Sequence, residues 1–212
     1  MRYKYQTGKG ELVVDRLLVL TNNENSSAVI RFLQEDGNQV YVWNERLSIK
    51  DVENIMPSFI VSYNYNYIIA QDIIEHMGGR VINMHISLLP WNRGFSPNIW
   101  SFIDDTPKGV TIHKVDASLD TGDILFQKEL SFSCEKETFA TTYKKLNDAV
   151  QKLFMDHWRQ IRRGEVRPYR QQGTGSYHCK KDLEQLQCFI KFSWDDNIRE
   201  FLERYEERKS SL

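Results

Sequence analysis

Only three cysteines stand in the 212 residues, Cys134, Cys179 and Cys188, odd in number and far apart. They make neither a C-x-x-C pair nor a disulfide ladder. A thiolate metal centre and a disulfide-stapled fold are therefore excluded, and a reducing cytoplasm is the expected compartment. Long apolar runs are missing, so no membrane-spanning segment is expected. Residues 1–15 are polar and do not read as a secretory signal, with Gly8 and Gly10 marking residues 1–11 as a loose leader or edge segment. No charge sign is in excess: 28 Lys and Arg face 29 Asp and Glu, for a formal net charge of −1. That balance gives nucleic acid or an anionic membrane no broad electrostatic footprint. Glycine is absent from residues 21–27, the loop after the first apolar run, which excludes a dinucleotide fingerprint and a Walker loop there. That loop ends in good helix-capping residues. Simple capping and a seat for a substrate phosphate are both open.

What is present reads as one globular unit, with 41% apolar and 27% charged residues. Residues 12–20, 39–43, 59–63 and 80–84 read as buried strands, and residues 28–34, 48–55 and 70–77 as helices between them. Strands alternating with helices over short connections predict an α/β fold, a doubly wound and mostly parallel sheet. Residues 98–103 read as a short helix, 108–115 as a strand, and 123–130 as a strand running back antiparallel at the sheet edge. A long helix follows Thr138. Its apolar positions Phe139, Tyr143, Leu146, Val150, Phe154, Trp158 and Ile161 recur every three or four residues, and Gly164 ends it. The composition changes after Pro168, which divides residues 1–167 from a small C-terminal extension, residues 168–212. Within it, residues 183–192 mix helix and strand signals, and residues 193–196 read as the capped start of a final helix.

The chemistry concentrates in Asn83-Met84-His85-Ile86-Ser87-Leu88-Leu89-Pro90. Asn83 and His85 are two apart on a strand end, so their side chains share one face. Downstream stands His113-Lys114-Val115-Asp116-Ala117-Ser118-Leu119-Asp120-Thr121-Gly122-Asp123-Ile124. The pair of patterns, N-x-H-x-S-L-L-P and H-x6-D-x-G-x-I, resembles the signature of the formyltransferases that use N10-formyltetrahydrofolate. The resemblance spans roughly residues 17–161 and implies a Rossmann-like fold with Asn83, His85 and Asp120 as the catalytic trio. Formyl transfer to an amine needs a proton carrier, a donor for the oxyanion and a proton for the leaving nitrogen. Imidazole titrates near neutrality and suits the first task, the Asn83 amide the second, and Asp120 can pair with His85. No metal is required. His113 also falls on a family position, where structural and catalytic roles are both open.

The resemblance further implies that the pterin lies between Tyr65, Asn66, Tyr67 and Ile68 on one side and Asp116, Ala117 and Ser118 on the other. The stretch Trp91-Asn92-Arg93-Gly94-Phe95-Ser96-Pro97-Asn98-Ile99-Trp100 is most similar to the small sugar N-formyltransferases, as is the later Gly173-Thr174-Gly175-Ser176-Tyr177-His178. These act on dTDP-linked 3- or 4-amino-dideoxy sugars destined for surface polysaccharides. Arg93, Asn98 and Trp100 are then sugar-nucleotide contacts; the other reading is a well-packed loop with Trp100 in the core. Methionyl-tRNA, glycinamide ribonucleotide, or water as the acceptor are the alternatives within the family, and a folate-sensing module without turnover is the alternative outside it. The implied partners are small molecules, folate and a sugar nucleotide. The final helix carries Ile198, Phe201, Leu202 and Tyr205 on one face, an apolar surface that predicts a homodimer, burial on its own domain being the alternative.

Overall fold

The computed structural model describes residues 14–211. Strands β1 (Arg16–Leu20), β2 (Gln39–Trp43), β3 (Phe59–Tyr63) and β4 (Val81–His85) are parallel and joined by helices α1 (Ser27–Glu35), α2 (Ile49–Ile55) and α3 (Gln71–Met77). A two-residue strand β5 (Arg93–Gly94) and helix α4 (Pro97–Ile103) follow. The chain then re-enters the sheet as β6 (Lys108–Lys114), antiparallel to β4, and turns back as β7 (Ile124–Leu130). The sheet order is β2-β1-β3-β4-β6-β7. The mostly parallel sheet and the returning edge strand are as the sequence predicts. Strand β1 is described from Arg16, and residues 1–13, including the expected leader, lie outside the described residues.

Alternation along the strands sorts the core into two layers. Leu17, Val19, Val61, Ile82 and Met84 face α1 and the long helix α5 (Phe139–Arg163), whose Leu146, Val150, Phe154 and Trp158 are buried. Leu18, Leu20, Ile60 and Val81 face α2 and α3. Helix α5 starts in a capping box between Thr138 and Thr141 and ends at Gly164, φ 68°, both as the sequence signals. With Ile82 and Met84 committed to the α5 layer, period two turns Asn83 and His85 to the other face. There α2 and α3 cover the first strands, and loops take their place beyond β4.

The C-terminal segment adds β8 (Tyr177–His178), α6 (Lys180–Phe189) and α7 (Ile198–Ser210). The ambiguous residues 183–192 are mostly helix. The last helix starts later than its sequence suggests: the residues around Ser193 make a turn, and the cap is Asn197, whose side chain accepts the Glu200 N–H at 3.3 Å. Asn197 also bridges Thr138, so α5 and α7 begin side by side. Ile198 and Phe201 are fully buried against Ile99 and Phe102 of α4, Phe139, and Leu186 and Ile190. The face that was expected to seek a second subunit is thus covered by the chain itself.

Strand β8 pairs in parallel with β5, so the extension is hydrogen-bonded into the loop that follows β4. Because α7 is part of this core, Phe201→Ala should lower unfolding free energy by about 3–5 kcal/mol, the usual cost of emptying a buried aromatic site. Urea denaturation measures it, and an unchanged midpoint would place α7 outside the cooperative unit.

Candidate active site

Register brings the two motifs together. In the β4–β6 pairing Asn83 lies opposite His113 and His85 opposite Thr111. Thr111 is fully buried and holds the S-L-L-P loop: its hydroxyl donates to the Ser87 carbonyl at 2.7 Å and accepts the Leu89 N–H at 3.1 Å. The loop then reaches Asn92, 1% exposed, whose backbone carbonyl accepts from His85 Nε2 at 3.1 Å. A carbonyl can only accept, so Nε2 carries the hydrogen and Nδ1 is the free base nitrogen of the neutral ring. By the same reasoning His113 Nδ1, 2.8 Å from the Lys114 carbonyl, carries its hydrogen, and its Nε2 accepts from Asn83 Nδ2 at 3.2 Å.

Asp120 sits where these groups converge, 8% exposed. Its Oδ1 accepts from Asn83 Nδ2 at 3.1 Å, and its Oδ2 accepts the Gly94 N–H at 2.9 Å. His85 Nδ1 is 3.7 Å from Oδ2, and His113 Nε2 is 3.5 Å from Oδ1. Burial pushes the Asp120 carboxyl up, but the electrostatic pull of the adjacent His85 and His113 and the hydrogen bond from the Gly94 N–H outweigh it and hold the group well below the usual carboxylate range. Asp120 is therefore an anion at neutral pH. Its backbone is left-handed, φ 55°, a conformation that costs a side-chain-bearing residue about 1–2 kcal/mol. Gln171 of the extension holds it there, its amide donating to the Asp120 and Gly122 carbonyls at 2.8 and 2.9 Å. The D-x-G glycine has a steric reason: a Cβ on Gly122 would lie 1.8 Å from the Lys114 carbonyl oxygen.

The trio opens on a cleft of about 780 Å³. Tyr65, Asn66, Tyr67, Ile68, Asp116, Ala117 and Ser118 all line it, together with Asn83, His85, His113 and Asp120. Two lining asparagines carry an unpartnered buried atom, Nδ2 of Asn64 and Oδ1 of Asn98. The Asn98 amide donates to the Phe139 carbonyl at 2.9 Å, so its oxygen is the free end. A buried polar atom without a partner is costly.

A family model described as formyl transferase matches residues 10–157. The chain belongs to that family. It is 36% identical over 109 residues to the dTDP-4-amino-4,6-dideoxyglucose formyltransferase of Mycobacterium bovis, covering 51% of this chain and 46% of that protein. To a methionyl-tRNA formyltransferase of Thermodesulfovibrio yellowstonii it is 32% identical over 154 residues, 71% of this chain and 48% of the other. The chain thus spans about half the length of the curated relatives it matches. Among solved structures, it is similar to the formyltransferase PseJ from Anoxybacillus kamchatkensis, in complex with UDP-4,6-dideoxy-4-formamido-L-AltNAc and tetrahydrofolate. The TM-score is 0.81 and the identity 41%, over 87% of this chain and 96% of that one.

The three suggested sugar contacts stand differently toward the cleft. Arg93 does not line the cleft; its guanidinium donates to the Thr174 carbonyl at 3.3 Å and braces the turn before β8. Trp100 does not line it either. Its ring is buried and stacks on His178, centroids 4.0 Å apart and 4° from parallel, so it supports a lining residue from behind. Asn98 does reach the cleft. Sequence reasoning missed Asn92, Gln171 and the cleft-lining residues of the extension. None belongs to the two motifs, and only the fold carries them to the site.

Asp120 gives a pH signature. Its folded pKa lies below the unfolded value near 3.9, so the stability it contributes is fully present above that value and is lost as pH falls through the folded pKa. The stability gap between the wild type and Asp120→Asn, read by urea unfolding, should be widest above pH ~5 and shrink below ~4. A gap that stays flat from neutral pH into acid would refute the depressed carboxyl. Gln171→Ala should lower kcat by roughly 10- to 100-fold through misplacement of Asp120, and far less change is expected in either KM. Gln171→Glu, which keeps the shape but not the amide donor, should behave alike; normal kcat in both variants would remove Gln171 from the site.

Proposed function

We propose that this protein transfers the formyl group of N10-formyltetrahydrofolate to the 4-amino group of a nucleoside-diphosphate-linked 4-amino-4,6-dideoxyhexose. The observation that carries the reading is the match to PseJ over nearly all of that chain, against about half of the methionyl-tRNA enzyme. The names of PseJ's ligand and of the mycobacterial relative both place the nitrogen on C4, which favours that position over the 3-amino alternative. The loops carrying Tyr67, Ile68 and Leu119 offer the folate an apolar wall, since all three side chains are exposed and line the cleft.

In this mechanism the amine nitrogen bonds to the formyl carbon, and the bond from that carbon to the folate nitrogen breaks. The amine proton goes to His85 Nδ1 and from there to the leaving nitrogen. Asp120, 3.7 Å from Nδ1, balances the charge the ring then holds. Asn83 donates to the oxyanion; both its amide hydrogens face acceptors in the free site, His113 and Asp120, so the oxyanion takes the place of one of them. The reaction belongs in the cytoplasm, where folates are made available, and its product is suited to surface polysaccharide assembly. No helix among the described residues is long and apolar enough to cross a membrane. A homodimer would need a surface other than the apolar face of α7, and sedimentation of the intact chain decides between one chain and two.

The test is a panel: the formyl donor offered with UDP- and dTDP-linked 4-amino-4,6-dideoxyhexoses, glycinamide ribonucleotide and methionyl-tRNA, with the formylated product read by mass spectrometry. Turnover on an amino-sugar nucleotide is expected, falling about 100-fold or more in His85→Ala. Formylation of methionyl-tRNA alone would overturn the proposal.

A further inference from the structure

Ten large hydrophobic side chains are exposed among the described residues, and six of them line the one cleft. They fall into two groups. Tyr67, Ile68 and Leu119 belong to the two loops already assigned to the folate. Phe95, Tyr177 and Trp194 come from elsewhere, the loop before α4 and the C-terminal extension. This second group has no part in the folate wall, and leaving a large aromatic face open to water is unfavourable unless something covers it.

The placement of the second group is fixed. Tyr177 lies in β8, and its ring crosses Gly94: a Cβ there would meet Tyr177 Cε2 at 2.8 Å. The Gly94 N–H is the one bound to Asp120, so the Tyr177 ring stands beside the reacting centre. Trp194 stands against a different wall. Its carbonyl accepts the Ala140 N–H at 2.8 Å in the first turn of α5, and its ring meets the Tyr143 ring edge-on at 5.1 Å. Tyr143 in turn reaches Asn23 of the β1–α1 loop. The indole is anchored on one side and 47% exposed. Between the two aromatics in sequence lie His178 and Lys180. His178 is held by Asp104 at 2.7 Å and by the Trp100 stack. Lys180 is the one Lys or Arg among the residues lining the cleft, and its pairing with Glu184, 3.9 Å away on the exposed helix surface, is weak.

We infer that the C-terminal extension is the acceptor's nucleotide subsite: Tyr177 covers the sugar, His178 and Lys180 take the diphosphate, and Trp194 stacks on the pyrimidine base. A flat π face suits any pyrimidine, and an ammonium suits a diphosphate as a point charge. The inference rests on the proposed sugar-nucleotide reading.

Titration of the full-length protein with UDP and with uridine, followed by calorimetry and tryptophan fluorescence, tests it. UDP should bind and quench the wild type. Trp194→Ala should weaken UDP binding roughly 10-fold or more. Trp194→Phe, which keeps a smaller ring and the backbone anchor, should retain most of the affinity but lose the quench. Lys180→Gln should weaken UDP and leave uridine unchanged. In turnover, Trp194→Ala should raise the KM of the amino-sugar nucleotide and leave that of the formyl donor. The subsite is overturned if Trp194→Ala and Tyr177→Ala bind UDP as the wild type does, or if Trp194→Ala raises the donor KM instead. UDP binding through Trp194 with no sugar nucleotide formylated would sink the proposed reaction and leave the subsite standing.

Discussion

The site depends on a carboxylate kept charged while almost wholly buried. Burial favours the neutral acid, and only close partners reverse that preference. Asp120 has two direct hydrogen-bond donors, the Asn83 amide and the Gly94 N–H, and two imidazoles within 3.7 Å. Each partner comes from a different stretch of chain. Asn83 and His85 need the register of β4, His113 needs β6 to run antiparallel, and Gly94 needs the loop that Asn92 and Ser176 tie down. Displacing any of these would leave a buried charge with too few partners, a costly outcome. The groups proposed to handle protons are therefore also the groups that fix one another.

The reversal at β6 explains why this arrangement forms beside β4. A fifth parallel strand would need another crossover helix, and that helix would cover the face to which Asn83 and His85 point. An antiparallel neighbour needs none. The face beyond β4 is left to loops and to the extension, which can present backbone groups and aromatic rings to a ligand. Helices that close the rest of the sheet could not do the same without burying their own apolar stripes there.

Much of this was legible in the sequence. The strand bounds at residues 39–43 and 59–63, the Thr138 and Gly164 ends of α5 and the returning edge strand follow from local signals: period, caps and breakers. Asn83, His85 and Asp120 were legible as a set because two motifs name them. What local signals leave open shares a cause. Trp100 and Arg93 lie inside a motif-like stretch, yet the direction of a side chain on a short helix or a two-residue strand is decided by its neighbours, here His178 and Thr174. Asn197 displaced the expected cap of α7 because it pairs with Thr138, a contact between residues far apart in sequence. The amphipathic face of α7 announces that it will be buried, but periodicity says nothing about which surface buries it.

Gln171 separates the making of the sheet from the latching of the Asp120 loop along the direction of synthesis. The parallel unit β1 to β4 is complete once His85 has been made, and the loop bearing Asp120 follows soon after. The amide that latches this loop in its left-handed turn lies 51 residues beyond Asp120. A chain emerging from the ribosome therefore carries both motifs, and much of the sheet, well before the carboxylate can be held in place. The latch comes from beyond Pro168, so a contact to the Asp120 loop crosses the change in composition there.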